Sequence, residues 1–339
     1  MDIPTESKIY KYSERFSKAD INSAGYKIAF CDLNVIIDWL QQKPDKQEEI
    51  ITYFKNNNLR PVLNQWLIAE LLQGLEGEED KHVSAKKSTV NFLDKLKPLW
   101  ILNNQFILVL EYLNCEKNIN AHEYLKIFSN YPLGEVTTET LGTRSYDCDK
   151  LLRYHFIPYE PIVKKGGRLE AYIDDIIEEN KLKDFQTIFK TGKKENVDAI
   201  NNVKSNLSKL DRQEKASSIN KINTSIVGKI LSEYAILGIN EVKVQNAIKD
   251  AAISQIPYAC ITDYIYYNIE LISGLKDNKK GQNDFIDNSY AGIALSYCDY
   301  FITNEQELLI RCKSLKESLN TTAKLCKFDF KKAAFAEFT

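Results

Sequence analysis

An α/β fold built on a central parallel sheet is predicted for this 339-residue chain, and three observations predict it. Short apolar runs stop abruptly at polar residues, as strands buried on both faces of a parallel sheet do. Each of the first such runs leads into a stretch with helical spacing. Thirteen Gly and eight Pro are few for this length, which disfavours a turn-rich all-β architecture and favours long helices. The length sets a prior of about two domains, or one domain with a large insertion. Apolar residues at 44% and charged residues at 27% are ordinary globular usage and argue against global disorder.

Residues 1–25 are polar and read as a peripheral extension. The first strand is IAFC, which runs into Asp32. VIIDWL and the polar stretch to about Asn58 then read as helix, with Pro44 as a break. PVL, at 61–63, is the second apolar run, and a helix follows it. On that helix Leu67, Glu70, Leu71 and Gly74 fall on one face. A carboxylate on an apolar face is costly to bury without a partner, and this singles out Glu70. Residues 81–255 read as a helical, less apolar insertion. Towards the other end, Gln282 to Lys313 reads as a helix over 284–296, a strand DYFIT over 299–303, and a helix opening near Glu305. Residues 319–330 supply a last edge strand, and 331–339 form a tail. The expectation is one α/β domain made from 26–80 and 256–330, with the insertion between its halves.

Charge and cysteine usage exclude several functions. The 45 basic and 47 acidic residues leave a formal charge of −2, so any nucleic-acid surface is a local patch. One candidate lies in the insertion, where Lys181–Asp250 holds 13 Lys or Arg against 8 Asp or Glu. There Lys193, Lys194, Lys209 and Arg212 could grip a phosphate backbone, or simply form a solvated helical face. No run approaches the ~20 apolar residues of a membrane span, and the first residues lack the apolar core of a signal peptide. Seven scattered Cys and three His show no paired metal-ligand spacing. A disulfide framework and a structural zinc are both disfavoured, and the chain reads as cytoplasmic.

Four acids fall where an open α/β sheet puts its chemistry, at or just past strand ends or on the helices facing them. Asp32 ends the first strand, Glu70 lies on its helix, Asp287 opens the late helix, and Glu305 follows strand DYFIT. Asp284 lies one turn before Asp287, on the same side. Like charges gathered together need a cation or shared protons at neutral pH. Carboxylates without His or Cys suit the hard, oxygen-seeking Mg²⁺ or Mn²⁺. Such ions activate water and neutralise charge on a phosphodiester under attack. Plainer readings compete with each acid. Asp32 and Asp287 could cap helices, Glu70 could pair with a buried cation, Glu305 could answer a helix dipole, and Asp38 reads as a helix-surface acid.

Several stretches together resemble PIN domains. CDLNVIIDWL looks like their first motif, an Asp at a strand end followed by a small polar residue, Asn and an apolar helix. LIAELLQGL looks like the second, a helix carrying Glu. DNSYAGIALSYCDYFITNEQEL looks like the third and fourth joined, with Thr303 sixteen residues after Asp287. The wording is especially like the longer bacterial members with helical insertions. The resemblance implies a PIN-like three-layer fold with a central parallel sheet, interrupted by an all-helical insertion. It implies a metal-dependent nuclease, an endoribonuclease acting on single-stranded or structured RNA, that could serve as a toxin or phage-defence effector. Asp32, Glu70, Asp287 and Glu305 would then hold one or two Mg²⁺ or Mn²⁺ ions, with Asp284 beside them. Asn34, Thr303 and Asn304 would be supporting polar groups. An inhibitory partner or a second copy of the chain is also implied. Two positions depart from the pattern: Leu33 stands where the family often has Thr or Ser, and Glu305 stands where Asp is usual.

Rival readings remain open. A phosphatase of the haloacid dehalogenase type also starts with a strand ending in Asp, but needs an acid two residues on, where this chain has Asn34. A non-catalytic PIN-like scaffold that binds RNA or protein, and a structure-specific DNA nuclease, share the other features.

Overall fold

The computed structural model describes residues 15–64, 67, 71, 88–89, 91–102, 107–108, 110–111, 119–129, 254–261, 281–319 and 321–338, without side chains at 281–286, 288–289, 314, 318 and 319. Its described elements are β1 (Arg15–Phe16), α1 (Lys18–Ser23), β2 (Lys27–Cys31), α2 (Leu33–Leu40), α3 (Pro44–Asn56), β3 (Leu59–Leu63), β4 (Leu99–Ile101), α4 (Ala121–Tyr124), β5 (Phe128–Ser129), α5 (Gly281–Tyr297), β6 (Tyr300–Ile302), α6 (Gln306–Leu319), β7 (Lys324–Asp329) and β8 (Ala334–Glu337). The strands form one eight-stranded sheet in the order β1-β5-β4-β3-β2-β6-β7-β8. The five central strands, β4 to β7 in spatial order, run parallel. The outer pairs β1–β5, β5–β4 and β7–β8 are antiparallel.

The IAFC run explains β2. Ile28, Ala29, Phe30 and Cys31 are all fully buried, as expected of a central strand covered on both faces. The two ends of the sequence meet here, because β2 pairs with both β3 and β6. Register shows how the two faces are filled. Phe30 lies beside Phe301, and Phe301 beside Leu325, so these three share a face. Tyr290 of α5 covers that face, with ring centroids 5.3 Å from Phe30. Phe328 is three residues past Leu325 and therefore points to the opposite face. There it meets Trp39 of α2 at 5.2 Å, and Trp39 meets Phe54 of α3 at 5.3 Å. Pro44 does not interrupt a helix but starts one, at the first turn of α3, where its missing N–H has no cost.

Several boundaries differ from the sequence reading. Strands β4 and β5 lie inside the span read as a helical insertion, and both belong to the sheet. β7 is not an edge: the last residues turn back as β8 and cover it. The polar extension is anchored as well. Lys18 of α1 is buried, donates to the Cys298 carbonyl at 3.0 Å, and lies 3.6 Å from Asp299. Asp299 in turn accepts from the Ile28 N–H at 2.8 Å, so one ion pair ties α1 to the starts of β2 and β6. Among the described residues no helix is long and apolar enough to cross a membrane, and five cysteines (31, 260, 298, 312 and 326) are free thiols.

Candidate functional site

Chain direction divides at β2 and β6. From β2 the chain moves by α2 and α3 to β3, on one side. From β6 it moves by α6 to β7, on the other. The carboxyl ends of two such strands diverge into a crevice, the place where open parallel sheets bind ligands. Cys31 and Ile302 are opposite each other in the register, so the next residues, Asp32 and Thr303, stand together at this switch point.

Asp32 occupies the N-cap position of α2, yet its side chain makes no capping hydrogen bond. Its Oδ2 instead accepts from the Thr303 hydroxyl at 2.7 Å. The helix-cap reading of Asp32 therefore fails. Both residues are buried, Asp32 at 2% exposure and Thr303 at 0%. The Asp32 N–H donates to the Ile302 carbonyl at 2.9 Å, which locks the backbone against the neighbouring strand. Thr303 also works in the other direction, because its hydroxyl accepts from the Glu305 N–H at 3.1 Å. The Glu305 carboxylate accepts from the Asn34 side-chain amide at 3.0 Å. Asp32, Thr303, Glu305 and Asn34 thus form one hydrogen-bonded arc around the crevice. Asn304 faces away from it and braces β7, accepting from the Phe328 N–H at 3.1 Å.

Asp287 neither opens nor caps a helix, because α5 already starts at Gly281; it is half-buried within that helix. Its charge and that of Asp32 act on the same buried thiol, Cys312 of α6. Burial first, and these two carboxylates after it, push that thiol up to about 12, against the lowering effect of Arg311. Asp32 and Asp287 therefore address a common region. The backbone of Asp284 lies on α5, but its side chain, together with Glu70, Lys193, Lys194, Lys209 and Arg212, lies outside the described residues. Asp32, Asp287 and Glu305 offer only carboxylate oxygens, the donor set that a hard divalent cation takes. Among the described residues no group of three or more His, Cys, Asp or Glu is close enough to hold an ion.

A buried acid that the sequence reading did not single out is Glu111, at 0% exposure. It accepts from the Tyr258 and Ala259 N–H groups at 2.7 and 2.8 Å and from the Tyr297 hydroxyl. Burial pushes its carboxyl up to about 8, and the three donors only partly counter that. Its partners identify it as a tether between α5 and the segment around 258, not as part of the crevice. No signal short of the fold marks it, since two of its donors are backbone groups almost 150 residues away.

No protein-family model, no curated protein and no solved structure matches this chain.

Proposed function

We propose that this chain is a metal-dependent nuclease with a PIN-like fold, cleaving RNA by hydrolysis of the phosphodiester. The observation that carries the reading is the Asp32 carboxylate. It is buried at the switch point of a parallel sheet, takes no part in capping its helix, and is held in place by Thr303. A carboxylate is costly to bury, and buried carboxylates held by a hydroxyl at a sheet's switch point are typical of functional sites.

Asp32, Asp287 and Glu305, with Glu70 and Asp284, would hold Mg²⁺ or Mn²⁺. When bound, such an ion lowers the pKa of a coordinated water and offsets charge on the phosphate. Thr303 fixes the orientation of the Asp32 carboxylate through Oδ2, as outer-shell partners of metal ligands do. Asn34 holds Glu305 at the rim, so the longer side chain that replaces the usual Asp is kept in one position. The crevice itself would admit the scissile phosphate at the carboxyl ends of β2 and β6.

The test is incubation of the purified protein with single-stranded RNA and Mn²⁺, beside Asp32→Asn, with flapped and single-stranded DNA in parallel. RNA cleavage that falls at least about a hundredfold in Asp32→Asn is expected, the scale of losing a main electrostatic group. Cleavage of DNA alone would redirect the reading to a DNA nuclease. RNA binding without any cleavage would make the chain a non-catalytic scaffold.

A further inference from the structure

At the opposite end of the sheet, where β2 and β3 begin, lies a cavity of about 400 Å³ that no part of the nuclease reading uses. That volume is within the range of small-ligand sites. Three cations from separate elements line it: Arg15 of β1, Arg60 of β3 and Lys126 just before β5. Apolar and aromatic groups, including Phe16, Ile21 and Tyr26, complete the wall.

Arg60 is already immobilised. Its Nε donates to the Lys97 carbonyl at 2.8 Å and its Nη2 to the Pro98 carbonyl at 3.1 Å. Its guanidinium lies over the Tyr26 ring, 5.7 Å from the centroid. A half-buried cation held in this way does not lose further side-chain entropy when a ligand arrives. Burial makes its charge harder to maintain, so a nearby anion would be welcome. Among the described lining residues one acid, within Coulombic reach of Lys126, stands against these three cations. Asp20, the acid in the lining, accepts the Ser17 N–H at 2.7 Å in the capping box of α1. The carbonyls at the end of α1 are closed by backbone donors, Gly25 to Asn22 and Tyr26 to Ile21. Gly25, at φ +83, supplies the left-handed residue this closure needs. Positive charge therefore prevails beside an aromatic wall.

We propose that this pocket binds a nucleoside phosphate, with the phosphate among Arg15, Arg60 and Lys126 and the ring system against the Tyr26 side. A simple anion would use only the cations, whereas the apolar wall calls for a ligand that also carries a flat, weakly polar part. The proposal is independent of the carboxylate crevice, which lies at the other end of the same strands.

Calorimetric titration of the full chain with ADP and UDP, beside inorganic phosphate and adenosine, tests it. ADP or UDP should bind at least tenfold more tightly than phosphate or adenosine. Lys126→Glu, an exposed position that should leave the fold intact, should weaken that binding at least tenfold. Tyr26→Leu should bring the nucleotide's affinity towards that of phosphate, and Asp32→Asn should change neither. The proposal is overturned if neither nucleotide binds at millimolar concentration, if Lys126→Glu binds as wild type, or if a 12-nucleotide RNA occupies the pocket more tightly than ADP. Failure here leaves the nuclease reading standing, because RNA cleavage is measured separately.

Discussion

At the residue scale, Thr303 is the most informative side chain because its single hydroxyl serves two partners. It donates to Asp32 Oδ2 and accepts from the Glu305 N–H, with no exposure to water. Thr303→Val keeps the shape and removes both hydrogen bonds in a buried setting, so stability should fall by about 1–3 kcal/mol in urea unfolding. Thr303→Ser should recover most of it, and equal stability for the two variants would refute the bridging role. Glu305→Gln probes something different. The Gln oxygen can still accept from Asn34, so the hydrogen bond survives while the charge is lost. Stability should then stay within about 0.5 kcal/mol of wild type, while RNA cleavage falls, though less than in Asp32→Asn. Untouched cleavage and metal dependence would make Glu305 only a helix-start acid. Asp32 was legible in the sequence because it directly follows an apolar run that fits a buried strand, whereas Thr303 was marked only by the resemblance of the late motif. Glu111 was not, since what defines it is a set of donors assembled by distant parts of the chain.

At the element scale, legibility tracked how much of each element's identity is local. IAFC, PVL and DYFIT gave β2, β3 and β6 because continuous apolar runs identify strands buried on both faces. β1, β5 and β8 have two to four residues each, too short for any period to show. Their pairing is decided by neighbours in the sheet. β8 illustrates what the sequence hides. The Phe338 N–H donates inward to the Leu325 carbonyl, so alternation points the Phe335 N–H outward, along the open edge. Tyr53 of α3 covers it, its hydroxyl accepting from Phe335 at 3.2 Å. Open edges recruit further strands, and this one is partly closed from within. Tyr53→Phe removes that closure with little change in packing. It should cost about 1 kcal/mol and promote concentration-dependent self-association, visible by sedimentation velocity. A variant as stable and as monodisperse as wild type would show that the edge is protected by other means.

At the scale of the whole molecule, buried titratable groups set how stability changes with pH, and their signs can be worked out separately. His122 is pushed down, first by burial and then by Lys18, and its Nε2 faces the Ser296 carbonyl at 2.6 Å. A depressed histidine stays neutral in the fold while its unfolded counterpart gains a proton, so its contribution is lost only as pH falls below about 6.5. Glu111 has the opposite sign. Its carboxyl is neutral in the fold up to about 8 but ionises near 4.5 when unfolded. Its contribution is therefore present below 4.5 and lost as pH rises through 8. Between pH 6.5 and 8 only Glu111 of the two acts, and it should lower stability by about 2 kcal/mol across that interval. The thiols of Cys31, Cys298, Cys312 and Cys326 are all raised by burial. They extend the decline above pH 9, where unfolded thiols begin to ionise. Urea midpoints at pH 6.5, 8 and 10, at constant ionic strength, should fall at each step. Glu111→Gln will be less stable at pH 6.5, because its amide cannot accept from both backbone donors. It should nevertheless lose the slope between 6.5 and 8 and keep the one above 9. A wild-type midpoint that is flat from 6.5 to 8 would mean that the three hydrogen bonds to Glu111 outweigh its burial and hold it ionised.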